Sequence, residues 1–457
     1  MKLNTFLKES AIYSFSHIFN KFGKFLLIPF LARELSKGQY GELQVLILIT
    51  VLVENSVCFG VRQASLRLIS EDDKNDKSTK TGLFIQICLG SALLVFFLGT
   101  LLLKYGYINN NHDLLLIICV YGFSFSVFQV GLCYLRAKDQ LIQYALFSFL
   151  KTFSDLILIV IFVQTSSSKP LGYIHGLSLS QIICVLPIYF TTLKNSKYTC
   201  YKLEDYKKYV KFAFPILLHV NFGWLLVNYD KILVKNYIGH EAVALLAVGL
   251  QFASIFKNGV EAFLKSLYTQ FYTKKLNIEK HFNNTLILTL LIGGCVTILC
   301  SIWQNYLIFI LAGNKYNIDN RLINLLLFSR LLMIYNSVLL IAFYYKKNSN
   351  QIMLSTFFAC LTTIIISTST IKEYGILVSG YSAIISYGAI AVYLSFRCYS
   401  SIIKFSAVKV LIGFIIVFIF LVTNTLTDNS LHIQILLTFI LFLVSSGLYN
   451  QFKIQLK

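Results

Sequence analysis

The stretch GLFIQICLGSALLVFFLGTLLLK, residues 82–104, decides the fold class. It contains no charged side chain before Lys104, and it exceeds the ~20 mostly apolar residues that a membrane-spanning helix needs. Similar stretches recur along the whole chain, separated by short polar segments. The sequence therefore predicts an all-α integral membrane protein.

Fourteen candidate spans follow this pattern. They lie at 11–35, 41–66, 82–104, 113–135, 141–163, 172–193, 211–236, 243–268, 284–311, 323–345, 351–370, 374–396, 406–425 and 431–449. We expect two pseudo-symmetric six-helix bundles, a plan common in transporters, and two further helices. The predicted parts are an N-terminal bundle (1–193), a basic cytoplasmic linker (194–210), a second bundle (211–397) and two additional transmembrane helices (398–457).

Composition excludes the common soluble classes. Of the 457 residues, 56% are hydrophobic and 13% are charged, about half the ~25% charged residues of an ordinary soluble domain. The net charge of +20 comes without any nucleic-acid-binding motif, so we expect no nucleic-acid partner. The ten cysteines form no CxxC pair and no zinc-like spacing with histidine, so neither a metal nor a cofactor is predicted.

The basic residues follow the predicted topology. Segments assigned to the cytoplasm, which include both termini, carry 22 Lys and Arg, whereas the opposite loops carry 6. Cytoplasmic loops of membrane proteins are enriched in these residues. The sequence therefore predicts a multi-pass protein of the inner (cytoplasmic) membrane with both termini in the cytoplasm.

Several charged and polar residues fall inside the predicted spans. A charge at mid-bilayer costs roughly 2.5–3.5 kcal/mol on insertion scales, so such residues commonly line water or form pairs. We expect a net positive cavity between the two halves, suited to a phosphate or pyrophosphate group. The candidate cavity residues are Lys21, Lys24, Arg62, Asn221, Asn228, Lys257 and Arg330.

Lys21 and Lys24 are the strongest candidates, because neither has an acidic residue at i±3 or i±4. For Lys257, cavity lining and an intrahelical pair with Glu261 are equally good interpretations. Asn221 and Asn228 are spaced to share a helix face, and hydrogen bonding between helices accounts for them equally well.

Four acidic residues are candidates for ion coupling or for structural ion pairing: Glu54, Asp155, Asp230 and Glu261. For Asp155 we favour a structural pair with Lys151, four residues earlier. For Asp230 we favour a structural role at the helix end, paired with Lys231 or Lys235. A proton or cation site is the alternative for Asp230.

Two stretches resemble a known family: SAIYSFSHIFNKFGKFLLIPFLARELSKGQYGELQ (10–44) and FAFPILLHVNFGWLLVNYDKILVKNYIGHEAVALLAVGLQFA (212–253). They are similar to the Wzx-type polysaccharide flippases, in the MATE-like multidrug/oligosaccharidyl-lipid/polysaccharide exporter superfamily. The matching residues are Asn20, Lys21, Leu27, Ile28, Pro29, Leu35, Ser36, Tyr40, Gly41, Pro215, Asp230 and Gly239. Lys231 departs from the pattern, which has Arg at this position.

The resemblance implies a V-shaped pair of six-helix bundles that works by alternating access. The cargo would be an undecaprenyl-pyrophosphate-linked oligosaccharide, such as an O-antigen (lipopolysaccharide) or capsule repeat unit. A proton or sodium gradient would drive the cycle, and a polysaccharide polymerase is an expected partner. The protein would be a transporter and not an enzyme.

Three alternatives remain open from the sequence. A lipid II flippase also suits a basic cavity. A cation-coupled multidrug exporter is disfavoured, because its commonly cationic cargo requires acidic cavity residues. A membrane glycan polymerase or ligase is disfavoured, because the longest predicted outer loop, 312–322, is too short for a domain and no nucleophile–base constellation is present.

Overall fold

The computed structural model describes most of the chain. The described residues are 23, 25–61, 77–104, 112–138, 140–193, 203–272, 278–345, 349–401, 413–415, 417–419 and 421–422. These parts contain helices and no strand, which confirms the predicted all-α class. Three candidate cavity residues, Lys21, Lys24 and Arg62, lie outside the described residues.

The helices follow the predicted order of spans, except that the predicted span 284–311 contains two helices with a break at Trp303. Their bounds are α1, 25–34; α2, Lys37–Cys58; α3, Lys77–Lys104; α4, His112–Ala137; α5, Leu141–Thr165; α6, Lys169–Ile188; α7, Leu203–Tyr237; α8, His240–Tyr272; α9, Ile278–Ile302; α10, Gln304–Ala312; α11, Asn320–Tyr345; α12, Ser349–Tyr374; and α13, Val378–Ser401. A π-helical turn, Tyr189–Leu193, continues α6, and a 3-10 turn, Gly375–Leu377, joins α12 to α13.

Ten stretches of the described chain are long and apolar enough to cross a membrane. One of them, Asn350–Ser400, contains both α12 and α13. Large apolar side chains are exposed on these helices; Phe97 and Val392 are examples, 62% and 72% exposed. Lipid covers such surfaces in a multi-pass membrane protein. The number of fourteen spans and the four-part organisation stay predictions.

Contacts within the chain divide it into two compact units, Met1–Trp224 (unit 1) and Leu225–Lys457 (unit 2). In unit 1, Phe84 and Val130 belong to a buried cluster that also contains Tyr209 of α7. In unit 2, the core is built around α11. In the most apolar part of this helix 78% of the residues are buried, a larger share than in any other candidate span of the described chain. A residue in the middle of α11 is therefore surrounded by protein.

The sequence motif around Ser36 starts α2. The Ser36 side chain accepts a hydrogen bond from the Gln39 backbone N–H, and the Gln39 side chain accepts one from the Ser36 N–H. This capping box satisfies two donors that a helix start leaves without partners. Leu35 and Tyr40 on either side are completely buried, so the motif fixes both the helix start and its packing.

The predicted second span, 41–66, is not one continuous helix. α2 ends at Cys58, where Phe59 adopts a left-handed conformation (φ 43°), and Gly60 follows at φ 71°. Two hydroxyls accommodate the interruption: Ser91 donates to the Val57 carbonyl at 2.6 Å and Tyr209 donates to the Phe59 carbonyl at 3.2 Å. These bonds satisfy carbonyls that a helix end leaves open in the membrane.

Candidate functional site

A stripe of small residues on α6 lets α5 and α6 approach closely in unit 1. Gly172, Gly176 and Ser180 recur at every fourth position and share one helix face. A Cβ atom on Gly176 would lie 2.7 Å from the Leu158 carbonyl oxygen of α5, so only glycine fits there. Small-residue stripes allow close backbone approach between membrane helices, and this one brings Ser180 against polar side chains of α5.

Three polar side chains meet at this contact. The Lys151 ammonium lies 2.5 Å from Asp155 Oδ1 and 2.9 Å from Ser180 Oγ, and the Ser180 hydroxyl also donates to Asp155 Oδ1. The side chains of Lys151 and Asp155 are each 13% exposed. The structure thus forms the intrahelical pair favoured from the spacing, and α6 adds a hydroxyl to it.

Phenol groups extend this unit 1 network to two more helices. Tyr121 of α4 donates a 3.4 Å hydrogen bond to Glu54 Oε2 of α2. Tyr121 and Tyr173 of α6 both lie within electrostatic range of the Asp155 carboxylate. Sequence reasoning missed these neutral residues because it searched the spans for charges. The repeat of small residues at every fourth position, which ends at Ser180, is a sequence signal that could have identified Ser180 but not the two tyrosines.

The buried acidic residue of unit 2 is Asp230 on α7, which is 7% exposed. Its carboxylate accepts hydrogen bonds from Ser367 of α12 and from Ser382 of α13, the latter at 2.8 Å. No ion pair reaches Asp230 from any residue that the structure describes. The expected pairing with Lys231 or Lys235 is therefore not formed, and serines from two distant helices replace it.

Lys257 and Glu261 of α8 form the other pair considered from the sequence. The Lys257 ammonium lies 3.4 Å from Glu261 Oε1, and Ser337 of α11 donates to the same oxygen at 3.2 Å. The two charged side chains are 17% and 18% exposed. The carboxylate therefore reduces the positive charge that Lys257 can offer to another anion.

Arg330 lies in the middle of α11 and is 6% exposed. Its Nη1 donates to the Met333 thioether at 2.8 Å, and its Nε has no hydrogen-bond acceptor. Among the described residues, no carboxylate forms an ion pair with it. Lys231 and Tyr387 lie within its electrostatic range. Because a thioether is a weak acceptor, this buried cation retains hydrogen-bonding capacity for a ligand.

Asn221 and Asn228 both lie on α7. The Asn221 side chain donates to the Leu217 carbonyl of its own helix at 3.1 Å, and its buried Oδ1 accepts no bond. Asn228 is partly buried. Within the described parts of the chain, no group of three or more His, Cys, Asp or Glu residues could hold a metal ion.

The chain is similar to known proteins in both sequence and fold. Residues 6–271 match the family described as polysaccharide biosynthesis protein. A curated relative, the Lsg locus putative protein 1 of Haemophilus influenzae, is 23% identical over 335 residues, which cover 68% of this chain and 78% of the relative.

Solved structures of the same fold are membrane transporters by name. The lipid II flippase MurJ in an inward closed conformation has a TM-score of 0.74 at 17% identity, covering 97% of this chain and 100% of that one. An inward-facing multidrug resistance MATE transporter of the MOP superfamily has a TM-score of 0.58 at 14% identity, covering 89% and 99%. At these identities the likeness shows the fold alone.

The family match spans more than half of the chain and agrees with the two stretches that resemble Wzx-type flippases. The chain shares its fold with the MurJ and MATE structures, and it belongs to the polysaccharide biosynthesis protein family.

Proposed function

We propose that the protein flips an undecaprenyl-pyrophosphate-linked oligosaccharide across the cytoplasmic membrane by alternating access, driven by an ion gradient. Membership of the polysaccharide biosynthesis family supports a glycan cargo. The fold shared with a lipid II flippase supports a lipid-linked one. The excess of basic residues in the predicted inner loops supports an orientation with both termini in the cytoplasm.

The observation that carries the proposal is Arg330. A guanidinium has five donors in a fixed fork and binds phosphate oxygens through two parallel bonds. Here it is buried inside the protein, where an uncompensated charge is costly, and its Nε has no acceptor. A pyrophosphate would supply both the opposite charge and the missing acceptors.

The other proposed cavity residues fall into three groups: basic residues of the first two spans, a lysine that is already ion-paired, and two neutral asparagines. Lys21, Lys24 and Arg62 are proposed to add positive charge toward the same head group, from the first two spans. Lys257 contributes as half of a pair with Glu261, so its ammonium binds a phosphate only by sharing or leaving that carboxylate. Asn221 and Asn228 are proposed to donate hydrogen bonds to the sugar hydroxyls.

Asp230 is the proposed site of ion coupling. A buried carboxylate with hydroxyl partners can hold either a proton or a small cation, because both neutralise its charge. Ser367 and Ser382 supply two further oxygens from α12 and α13. Binding and release of the ion would thus change the charge at a point where three helices meet, which is suited to coupling with a conformational change.

The test uses the purified full-length protein in liposomes containing a fluorescent undecaprenyl-pyrophosphate-linked oligosaccharide. Transfer between leaflets is measured by the fraction that dithionite, a reagent that does not cross the bilayer, can reduce. We expect transfer that depends on the protein and on an imposed proton or sodium gradient. Lipid II and ethidium serve as the other cargoes. Transfer of lipid II alone, or export of ethidium alone, would replace the proposal with one of the two other transporter functions.

A further inference from the structure

We propose that the Lys151 ammonium acts as a covalently attached cation: it fills a monovalent-cation site formed by Asp155 and Ser180 in unit 1, so that this site takes no ion from solution. The site itself does not depend on the proposed function. Its consequence for coupling, that an ion is exchanged at Asp230 and not at Asp155, does rest on that function.

The geometry around Lys151 is that of a cation among oxygen ligands. Its nitrogen lies 2.5 Å from a carboxylate oxygen on its own helix and 2.9 Å from a hydroxyl oxygen on α6. The Ser180 hydroxyl is completely buried, and its oxygen lies 2.9 Å from the Leu177 carbonyl. Two side-chain oxygens from two helices therefore converge on one positive charge, with a backbone carbonyl next to them.

The titratable groups that face this site from the neighbouring helices are two phenols and the Cys184 thiol of α6, which lies within electrostatic range of both Lys151 and Asp155. Tyr121 of α4 and Tyr173 of α6 lie within electrostatic range of Asp155, and the Glu54 carboxylate of α2 accepts a hydrogen bond from Tyr121. Among the residues that the structure describes, Lys151 is thus the cation that balances the negative charge of Asp155. Removing one partner of a buried pair leaves the other charge uncompensated, at high energetic cost.

Unit 2 builds the same kind of site without the lysine. Asp230 is buried and accepts hydrogen bonds from serine hydroxyls of two helices, but no described residue forms an ion pair with it. Its charge must be balanced from solution, by a proton or a cation. Asp155 carries its balancing charge on its own helix, which no transport cycle can release.

The experiment removes the covalently attached cation and asks whether a free one replaces it. All variants carry Asp230→Asn, so that any ion effect at Asp230 is absent. Thermal unfolding of the full-length protein in detergent is measured in choline chloride, NaCl and KCl at equal ionic strength. We expect Lys151→Ser to unfold about 3 °C or more higher in Na⁺ or K⁺ than in choline, because an ion that binds only the folded state stabilises it.

Two controls isolate the site. Adding Asp155→Asn to Lys151→Ser should abolish the ion effect, since the carboxylate that attracts the cation is gone. Lys169→Ser removes a lysine at the same 2.5 Å distance from a carboxylate, Glu34, but those side chains are 31% and 36% exposed. Water solvates that carboxylate, so no ion-specific stabilisation is expected there.

A variant that does not fold still decides the question. If Lys151→Ser is recovered as a monodisperse protein only when extracted in Na⁺ or K⁺, the free ion has replaced the ammonium. If it unfolds identically in all three salts, or is aggregated in all of them, Lys151 is an ordinary structural ion-pair partner and the proposal is wrong. None of these outcomes bears on flipping, which is measured separately.

Discussion

The Ser382 hydroxyl of α13 donates a 2.8 Å hydrogen bond to the carboxylate of Asp230 on α7, across 152 residues of sequence. Ser367 of α12 donates to the other carboxylate oxygen. One buried carboxylate therefore joins three helices of unit 2. A change in the charge of Asp230 would alter its interaction with both serines at once.

Asp230→Asn should preserve the fold and abolish the ion dependence of flipping. An asparagine keeps one oxygen that can accept a serine hydrogen bond, but it cannot bind a proton or a cation as a carboxylate does. We expect gradient-driven transfer to fall about 5-fold to 150-fold, the usual range of a coupling free energy. The measurement is transfer in liposomes with and without an imposed gradient.

The control for this prediction is Ser382→Ala, which removes one hydroxyl and retains the carboxylate. Its ion dependence should weaken but persist. Gradient-driven transfer by Asp230→Asn at the wild-type rate would show that the coupling ion binds elsewhere, and would leave Asp230 a purely structural residue.

Arg330→Ala should weaken binding of the pyrophosphate lipid without unfolding the protein. No described carboxylate depends on Arg330 for its charge balance, so its loss leaves no acidic partner unpaired. A hydrogen bond to a charged group contributes roughly 1.5–3 kcal/mol, so affinity should fall by about 10-fold to 150-fold. Arg330→Lys should lose less, because it keeps the charge but not the fork of donors.

Arg321→Ala is the matched control, since Arg321 lies on the same helix and is exposed near its start. Binding is measured by quenching of a labelled undecaprenyl-pyrophosphate-linked oligosaccharide in detergent. Equal losses in the two variants would mean a nonspecific effect of positive charge. An unchanged affinity in Arg330→Ala would remove Arg330 from the head-group site.

The topology prediction concerns both ends of the chain. Since the predicted inner segments carry 22 basic residues against 6 in the outer ones, the termini should face the cytoplasm. Fluorescent-protein fusions after Lys457 and before Met1 should both be bright in intact cells, and alkaline phosphatase fusions at the same positions should be inactive. An active phosphatase at one end only would mean an odd number of spans.

The sequence predicted the helices well because membrane spanning depends mainly on length and apolar composition. Both properties can be counted along the chain without knowledge of any tertiary contact. The helix start at Ser36 can likewise be read from the sequence, because a capping box depends on residues only three positions apart. The resemblance quoted from these residues led to the family that residues 6–271 match.

The hydrogen-bond partners of the charged residues were harder to predict from the sequence, because they are neutral and distant along the chain. Ser367 and Ser382 carry no charge, and nothing near Asp230 in the chain points to them. The break after Cys58 likewise depends on Ser91 and on Tyr209, more than 30 residues away. Lys21, Lys24 and Arg62 lie outside the described residues, so their place in a cavity stays a prediction.

The last prediction concerns the close contact between α5 and α6. Gly176→Leu should destabilise the protein strongly, because even a Cβ atom there would lie 2.7 Å from the Leu158 carbonyl oxygen. Overpacking costs typically 1–3 kcal/mol even where side chains can adjust, and here the obstacle is backbone. Gly90→Leu on α3 is the matched control, since Gly90 is exposed and a Cβ there meets nothing within 4 Å.

Size-exclusion profiles and thermal unfolding in detergent test this difference. Gly90→Leu should behave as the wild type, whereas Gly176→Leu should aggregate or unfold at a clearly lower temperature. Gly176→Ala should lie between them, because it displaces α6 by less. Separation of the helices also moves Ser180 away from Lys151 and Asp155, whose contacts with it exist only while the backbones are close. Wild-type stability in Gly176→Leu would show that α5 and α6 are not packed through this stripe, and the polar contacts that depend on it would lose their structural basis.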